Sequence, residues 1–384
     1  MNHALAGVEF AAQGQNIIMN KQSFIIIFSA AMLAFAGAAD VYAEEAQRFE
    51  IRAIRLEGNT LLSPDELDSL LKPFVGPDKD FGTLQAALDT LQDAYRAKGY
   101  SLAAPWLPEQ TVGSSGEILI RVLEPRLAAV RVNGLSRYTE AEILRALPAL
   151  RIGESPQVDS LSRNLRLANE NPGRRIAVQF ASPSAETDIE ANVRVTEASP
   201  WKISVGADRT GDKATGEYRM HTSLQYANLF DRDHTASIQY TTSPGHADKV
   251  KTWVGAYRVP FYALGDSLDV FAAWSDIDSS DAVTQVSDVQ LTGKGSIFGL
   301  RYTKNLPQLG LWTQKLVGGI DYRRYKNDIR LGPTPYKSDY AALPLSLTWG
   351  VSRSDERLTL DASAGIIRNL PWVGLSGQSD YDQG

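Results

Sequence analysis

From residue 201 onward, apolar and polar side chains alternate with a period of two. In "EYRMHTSLQY", residues 217–226, Tyr218, Met220, Leu224 and Tyr226 fall on one side, opposite Arg219, His221, Ser223 and Gln225. Successive side chains of a strand point to opposite faces, so the segment is a two-faced ribbon. "WKISVGAD" sets Trp201, Ile203, Val205 and Ala207 against Lys202, Ser204, Gly206 and Asp208, and "LPLSLTWGV" repeats the pattern through Leu345, Leu347 and Trp349. About nine such ribbons follow one another, parted by segments rich in Gly, Asp, Asn, Ser and Pro. Each runs about ten residues, the length a tilted strand needs to cross a bilayer. Aromatic residues recur at their ends, from Trp201 and Tyr226 to Trp312 and Trp349. The pattern predicts a transmembrane antiparallel sheet whose apolar face meets lipid; a soluble sandwich would need a second apolar face to form its core.

Upstream the period changes to that of helices and the sequence duplicates itself. "IRLEG" at residues 54–58 returns as "VRVNG" at 130–134, 76 residues later. Ser63 and Glu66 return at the same spacing as Thr139 and Glu142. Each of these pairs is a capping box that opens a helix, the first with Pro64 at the first helical position. A second helix follows in each copy, over about 83–98 and 158–170. Paired strands then close each copy, 100–104 with 117–123 and 175–181 with 189–197. Each copy therefore reads β-α-α-β-β.

Residues 24–39, "FIIIFSAAMLAFAGAA", form an apolar run too short for a spanning helix. Lys21 precedes it and Val41-Tyr42-Ala43 follows, which predicts a secretory signal peptide cleaved before Glu44. The resulting division is 1–43 for an N-terminal extension and signal, 44–124 and 125–199 for the two repeats, and 200–384 for the membrane sheet.

The 384 residues carry a formal net charge of -6, which argues against nucleic acid as a partner. There is no cysteine, so disulfides and thiolate metal sites are excluded. His3, His221, His234 and His246 are scattered without metal-ligand spacing. No catalytic constellation and no cofactor motif stand out; "GKGSIFG", residues 293–299, lacks the strand–turn–helix context of a dinucleotide loop.

The order of parts resembles the transporter half of two-partner secretion, the haemolysin secretion/activation proteins. The repeats resemble polypeptide-transport-associated (POTRA) domains. "NLRLANENPGRRIAVQF", residues 164–180, is similar to the family's second POTRA domain, and "DRTGDKATGEYR", 208–219, to its first barrel hairpin. "YANLFDRDHTASIQYTTS", 226–243, is similar to the next hairpin, with Leu229 to Asp233 in place of a glycine-rich turn.

The resemblance implies α+β POTRA domains followed by an antiparallel transmembrane β-barrel, of which about half the strands are present, and so an incomplete transporter. Residues 319–323, "GIDYR", look superficially like a family strand motif but come early and lack its last glycine. The implied setting is the outer membrane, with the POTRA domains in the periplasm. The implied partners are a secreted exoprotein client and outer-membrane lipid. Client docking is expected on the second strand of each POTRA domain: Tyr100, Leu102 and Ala103 in the first, and Arg175, Ile176, Val178 and Phe180 in the second. Ile176, Val178 and Phe180 would equally serve as core beneath the helices, and the sequence leaves both open. Lys202, Asp208, Arg219, His221, Gln225 and Arg258 are expected to line a polar lumen. An outer-membrane assembly factor, or a periplasmic binding remnant with an incomplete barrel, are the alternatives.

Overall fold

The computed structural model describes residues 9–10, 48–111, 115–182, 188–277, 283–286, 289–331, 334–355 and 357–370. The predicted signal segment lies outside them. A two-residue strand, β1 (Glu9–Phe10), lies against the second unit, and a small ribbon of β2 (Phe49–Ile51) with β4 (Gly76–Lys79) lies against the first.

The first unit is a three-stranded sheet of β3 (Ala53–Glu57), β6 (Glu117–Leu123) and β5 (Ala104–Trp106), in the order β3-β6-β5. Helices α1 (Pro64–Leu71) and α2 (Phe81–Ala97) cover it, burying Leu84, Leu91 and Tyr95 against Ile118 and Ile120. The second unit repeats the plan with β7 (Arg126–Asn133), α3 (Glu140–Ala146), α4 (Val158–Ala168), β8 (Arg174–Ala181) and β9 (Asp188–Glu197), in the sheet order β8-β9-β7. Leu127, Ile143, Leu161, Leu165, Ile176, Val178 and Val193 make its core. Both predicted capping boxes form: the Ser63 and Thr139 side chains accept from the Glu66 and Glu142 amides at 3.4 and 3.3 Å, and both glutamates reach back. The α2 helix starts earlier than its apolar spacing suggested, because Asp80 caps it through Thr83.

The duplication extends into the turns. Gly58 and Gly134 follow the first strand of each unit at φ +88° and +89°, packed on the backbone of the last strand. A glutamate at the end of that strand then accepts from the turn. Glu124 takes the Thr60 and Leu61 amides at 2.9 and 3.1 Å, and Glu197 takes those of Ser136, Arg137 and Tyr138 at 2.8, 2.8 and 3.1 Å. Burial opposes the Glu197 charge, but these three donors outweigh it and hold the carboxyl below its ordinary range.

One strand is misplaced in the sequence reading. Tyr100, Leu102 and Ala103 lie in a turn, ahead of the three-residue β5. Gly99 leaves α2 at φ +87°, and the backbone closes on itself, with the Tyr100 amide donating to Tyr95 and the Ala103 amide to Tyr100.

The remainder is one large antiparallel sheet. Its path runs β10 (Trp201–Asp208), β11 (Arg219–Leu229), β12 (His234–Thr242), β13 (Val250–Phe261), β14 (Asp266–Ile277), β17 (Lys294–Leu309), β18 (Trp312–Leu331), β20 (Pro344–Ser354) and β21 (Thr359–Asn369). A hairpin of β15 (Val283–Val286) and β16 (Val289–Thr292) interrupts it, and β19 (Thr334–Ala342) pairs along the far part of β18. Among the described residues β10 and β21 are its two ends and do not pair with each other. No helix among the described residues is long and apolar enough to cross a membrane, which says nothing of strands.

Candidate functional site

The sheet is built inside out. Ile203, Val205, Leu347 and Ile366 are exposed, Ile366 to 73 %, whereas Arg301 and Asp321 on the other face are buried. Hydrophobic burial predicts the reverse for a protein in water. Aromatic residues mark the apolar face in register: Tyr240 pairs Trp253 and Trp253 pairs Trp274 along one row, and Trp201 pairs Tyr226 along another. Trp253 and Trp274 thus lie within their strands, not at the ends.

The six expected lumen residues share the polar face. Lys202 pairs Gln225 and Asp208 pairs Arg219, while His221 lies across Gly206 and Arg258 sits on the same side of β13. They are not equally free to line a conduit. Arg219 is buried and ties the β10–β11 turn, donating to Gly216 O at 2.6 Å and Thr215 Oγ1 at 2.7 Å. Arg258 pairs with Glu170 of the second unit and approaches Asp269 at 3.5 Å. Burial raises the Glu170 pKa, and Arg258 works against that rise. The central cluster on this face has no signature in the local sequence pattern. Asp321 accepts from Arg301 Nη2 at 3.1 Å and from Arg323 at 2.7 Å, so the motif-like segment at 319–323 holds a buried ion cluster.

At the second unit, β8 is the outermost of the unit's own strands; among the described residues the two-residue β1, Glu9–Phe10, pairs on its outer side, opposite Gln179 and Val178. Ile176, Val178 and Phe180 turn inward and are buried at 2 %, 0 % and 9 %, so their side chains are core. Arg175 donates to the Asn169 and Asn171 carbonyls. The Asn169 amide pairs with both backbone groups of Ile176, N–H at 2.7 Å and C=O at 2.9 Å, as a neighbouring strand would. Backbone groups alternate sides along a strand, so the outward groups beyond Ile176 are those of Val178 and Phe180.

A third feature joins the unit to the sheet. Arg174, the first residue of β8, is fully buried and grips Asp233 in the β11–β12 turn, with Nε 3.1 Å from Oδ1 and Nη2 on Oδ2. Asn171 donates to Ala227 O at 2.7 Å and to Asp233 at 3.1 Å, and Tyr262 of the β13–β14 turn donates to Asp233 at 3.0 Å. Burial opposes the Arg174 charge, but Asp233 more than offsets it and its pKa rises. Burial and Asp233 push the nearby Tyr138 hydroxyl up to about 12. Phe230, Asp231 and Asp233 hold φ of +61°, +53° and +60°, a conformation costing non-glycine residues roughly 1–2 kcal/mol each. The sequence reading named Arg175 and missed Arg174; the signal was a basic pair opening an alternating strand directly after "NPG".

Tandem β-α-α-β-β units joined to an antiparallel sheet with an apolar outer face define a membrane β-sheet protein with POTRA-type domains at its base. Residues 49–125 match the POTRA domain, ShlB-type. Residues 186–383 match the haemolysin secretion/activation protein ShlB/FhaC/HecB, and the chain belongs to this family. Among curated relatives, it is 24 % identical over 353 residues to the hemolysin transporter protein ShlB of Serratia marcescens, covering 88 % of this chain and 59 % of that one. It is 25 % identical over 204 residues to the outer membrane transporter CdiB of Dickeya dadantii strain 3937, covering 53 % of this chain and 35 % of the relative. The solved structure of CdiB from Escherichia coli superposes with a TM-score of 0.68 at 20 % identity, over 88 % of this chain and 62 % of that one, and shares the fold. The chain thus spans less than two thirds of the length of these relatives.

Proposed function

We propose that this protein acts in two-partner secretion, passing a large secreted protein, an adhesin or haemolysin, across the outer membrane. The inverted polarity of the sheet carries the reading: an exposed apolar face and a shielded, charged one suit a wall between lipid and a water-filled conduit. Family membership supports the transport of an exoprotein and the placement of the two α+β units in the periplasm. The client arrives unfolded, docks by strand addition and threads along the face bearing Lys202, His221 and Gln225.

Two edges compete for the docking role. In the first unit β5 is three residues long with Pro105 at its centre, which lacks a donor and blunts pairing. The β8 strand has eight residues and no proline. Docking therefore falls to the second unit and rests on the backbone at Val178 and Phe180, with Ala177 and Gln179 presenting side chains.

Val178→Pro removes an outward donor without taking an N–H from the β8–β9 ladder. It is expected to weaken binding of an extended client about tenfold while the unit stays folded. Val178→Thr keeps the donor and is expected to bind within about twofold of the parent. Titration of both variants with a fluorescent client segment, alongside circular dichroism, checks this. Equal loss in both, or none in either, would show that β8 is not the docking edge.

A further inference from the structure

The junction between the second α+β unit and the sheet is a densely bonded polar site that the transport reading leaves without a task. Its partners are far apart in sequence: 59 residues separate Arg174 from Asp233, and 98 separate Asn164 from Tyr262. The grip falls on the β11–β12 and β13–β14 turns. On the first, Arg174 and Asn171 hold Asp233, Glu142 accepts from Asn228 at 2.8 Å, and Arg145 donates to Asp231 O at 2.8 Å. On the second, Asn164 donates to Tyr262 O at 2.8 Å, and the Tyr262 ring is part of the hydrophobic core of the α+β unit. A wall residue used as core of the neighbouring unit does not arise from a loose tether.

The first turn is shaped for the grip. Its three left-handed non-glycine residues persist because the surroundings fix them: the Asp233 amide donates to Asn228 Oδ1 at 2.9 Å while its carboxylate is taken by Arg174 and Tyr262. Arg174 also lies 5.4 Å from the centre of the Tyr138 ring, so cation, anion and both tyrosines form one closed set. Arg174 is the first residue of β8, so the fixed end of the docking edge is the end at the wall.

We propose that the Arg174–Asp233 pair is a positioning latch that locks the second α+β unit to the β11–β12 and β13–β14 turns and so sets the angle at which β8 meets the wall. Arg174 and Asp233 act through orientation and touch no client. The latch stands on the geometry alone and holds whether or not a client adds to β8.

The full chain contains no cysteine, so spin labels can be placed one pair at a time. Arg151→Cys with Leu311→Cys reports the unit against the sheet, and Arg151→Cys with Thr196→Cys reports within the unit. In Asp233→Asn the turn keeps a residue tolerant of left-handed backbone and loses the charge. Electron–electron distance measurements in detergent are expected to give one narrow 151–311 distribution in the parent, broadened at least about twofold in Asp233→Asn and in Arg174→Met, with the 151–196 distribution unchanged in both. Tyr262→Phe removes the hydroxyl's bond to Asp233 and its longer one from Arg174 but keeps the ion pair, and is expected to broaden it less. A 151–311 distribution as narrow in both charge variants as in the parent would overturn the latch. Broadening of the 151–196 pair as well would also overturn it, because the pair would then be a core element of the unit and not a positioning contact.

Discussion

A monomer of these 384 residues, refolded into a planar bilayer, is expected to give no stable channel openings. The outer sides of Trp201–Asp208 and of residues 359–368 in β21 have no strand partner among the described residues. With nine strands on the antiparallel path, these two edges run in the same direction, so joining them directly would need one parallel seam. Each unpaired backbone group in hydrocarbon costs several kcal/mol, and two edges of this length sum to the order of tens of kcal/mol. Net folding stability of about 5–15 kcal/mol cannot absorb that. The edges are expected to find strands elsewhere, in a second copy or an added polypeptide, and conductance should appear only with them. Stable openings from particles shown to be monomeric would mean that the sheet closes on itself.

The second large effect is expected at Gly134. Its φ is +89°, and an added Cβ would lie 2.1 Å from the Val195 carbonyl oxygen, a backbone atom of β9 held in the sheet. Gly134→Ala therefore combines an unfavourable conformation with a clash that only a shift of the sheet relieves, at an expected loss of about 4 kcal/mol or more. Gly153 is the internal control. It has φ +86° but nothing within 4 Å of the added carbon, so Gly153→Ala should cost only about 1–2 kcal/mol. Urea unfolding of a polypeptide covering residues 44–199 measures both. Equal losses would show that the close approach to β9 contributes nothing. The equivalent Gly58 faces the Val122 oxygen at 2.3 Å and should behave like Gly134 in the first unit.

These two glycines show what the sequence made legible. Local rules wrote the repeat: Ser63 with Glu66 and Thr139 with Glu142 announce their helices through side-chain spacing alone. The alternating ribbons likewise announced both faces of the sheet, because period-two patterning is a property of neighbours in the chain. Contacts that close over long separations were not legible. Nothing near Arg174 names Asp233 as its partner, and Asp321 could not be recognised as a buried carboxylate until Arg301 was brought opposite it. The β5 strand was misread because Leu102 and Ala103 have the composition of a strand, while Gly99 and Pro105 confine pairing to three residues. For β8 the alternation is legible and its meaning is double; the fold turns Ile176, Val178 and Phe180 to the core, and the outer backbone side of the strand meets Asn169 and Glu9–Phe10.

Transport through this sheet requires its apolar side to meet lipid. The β20 strand tests it within five residues, since Leu345, Leu347 and Trp349 are exposed while Ser346 and Thr348 lie on the other face. Single cysteines placed at each position in turn, spin-labelled and measured on the vesicle-inserted fraction, report collision with oxygen, which partitions into lipid, and with a water-soluble nickel complex. High oxygen and low nickel accessibility are expected at 345, 347 and 349, with the reverse at 346 and 348. Nickel access at 345, 347 and 349 equal to that at 346 and 348 would contradict it.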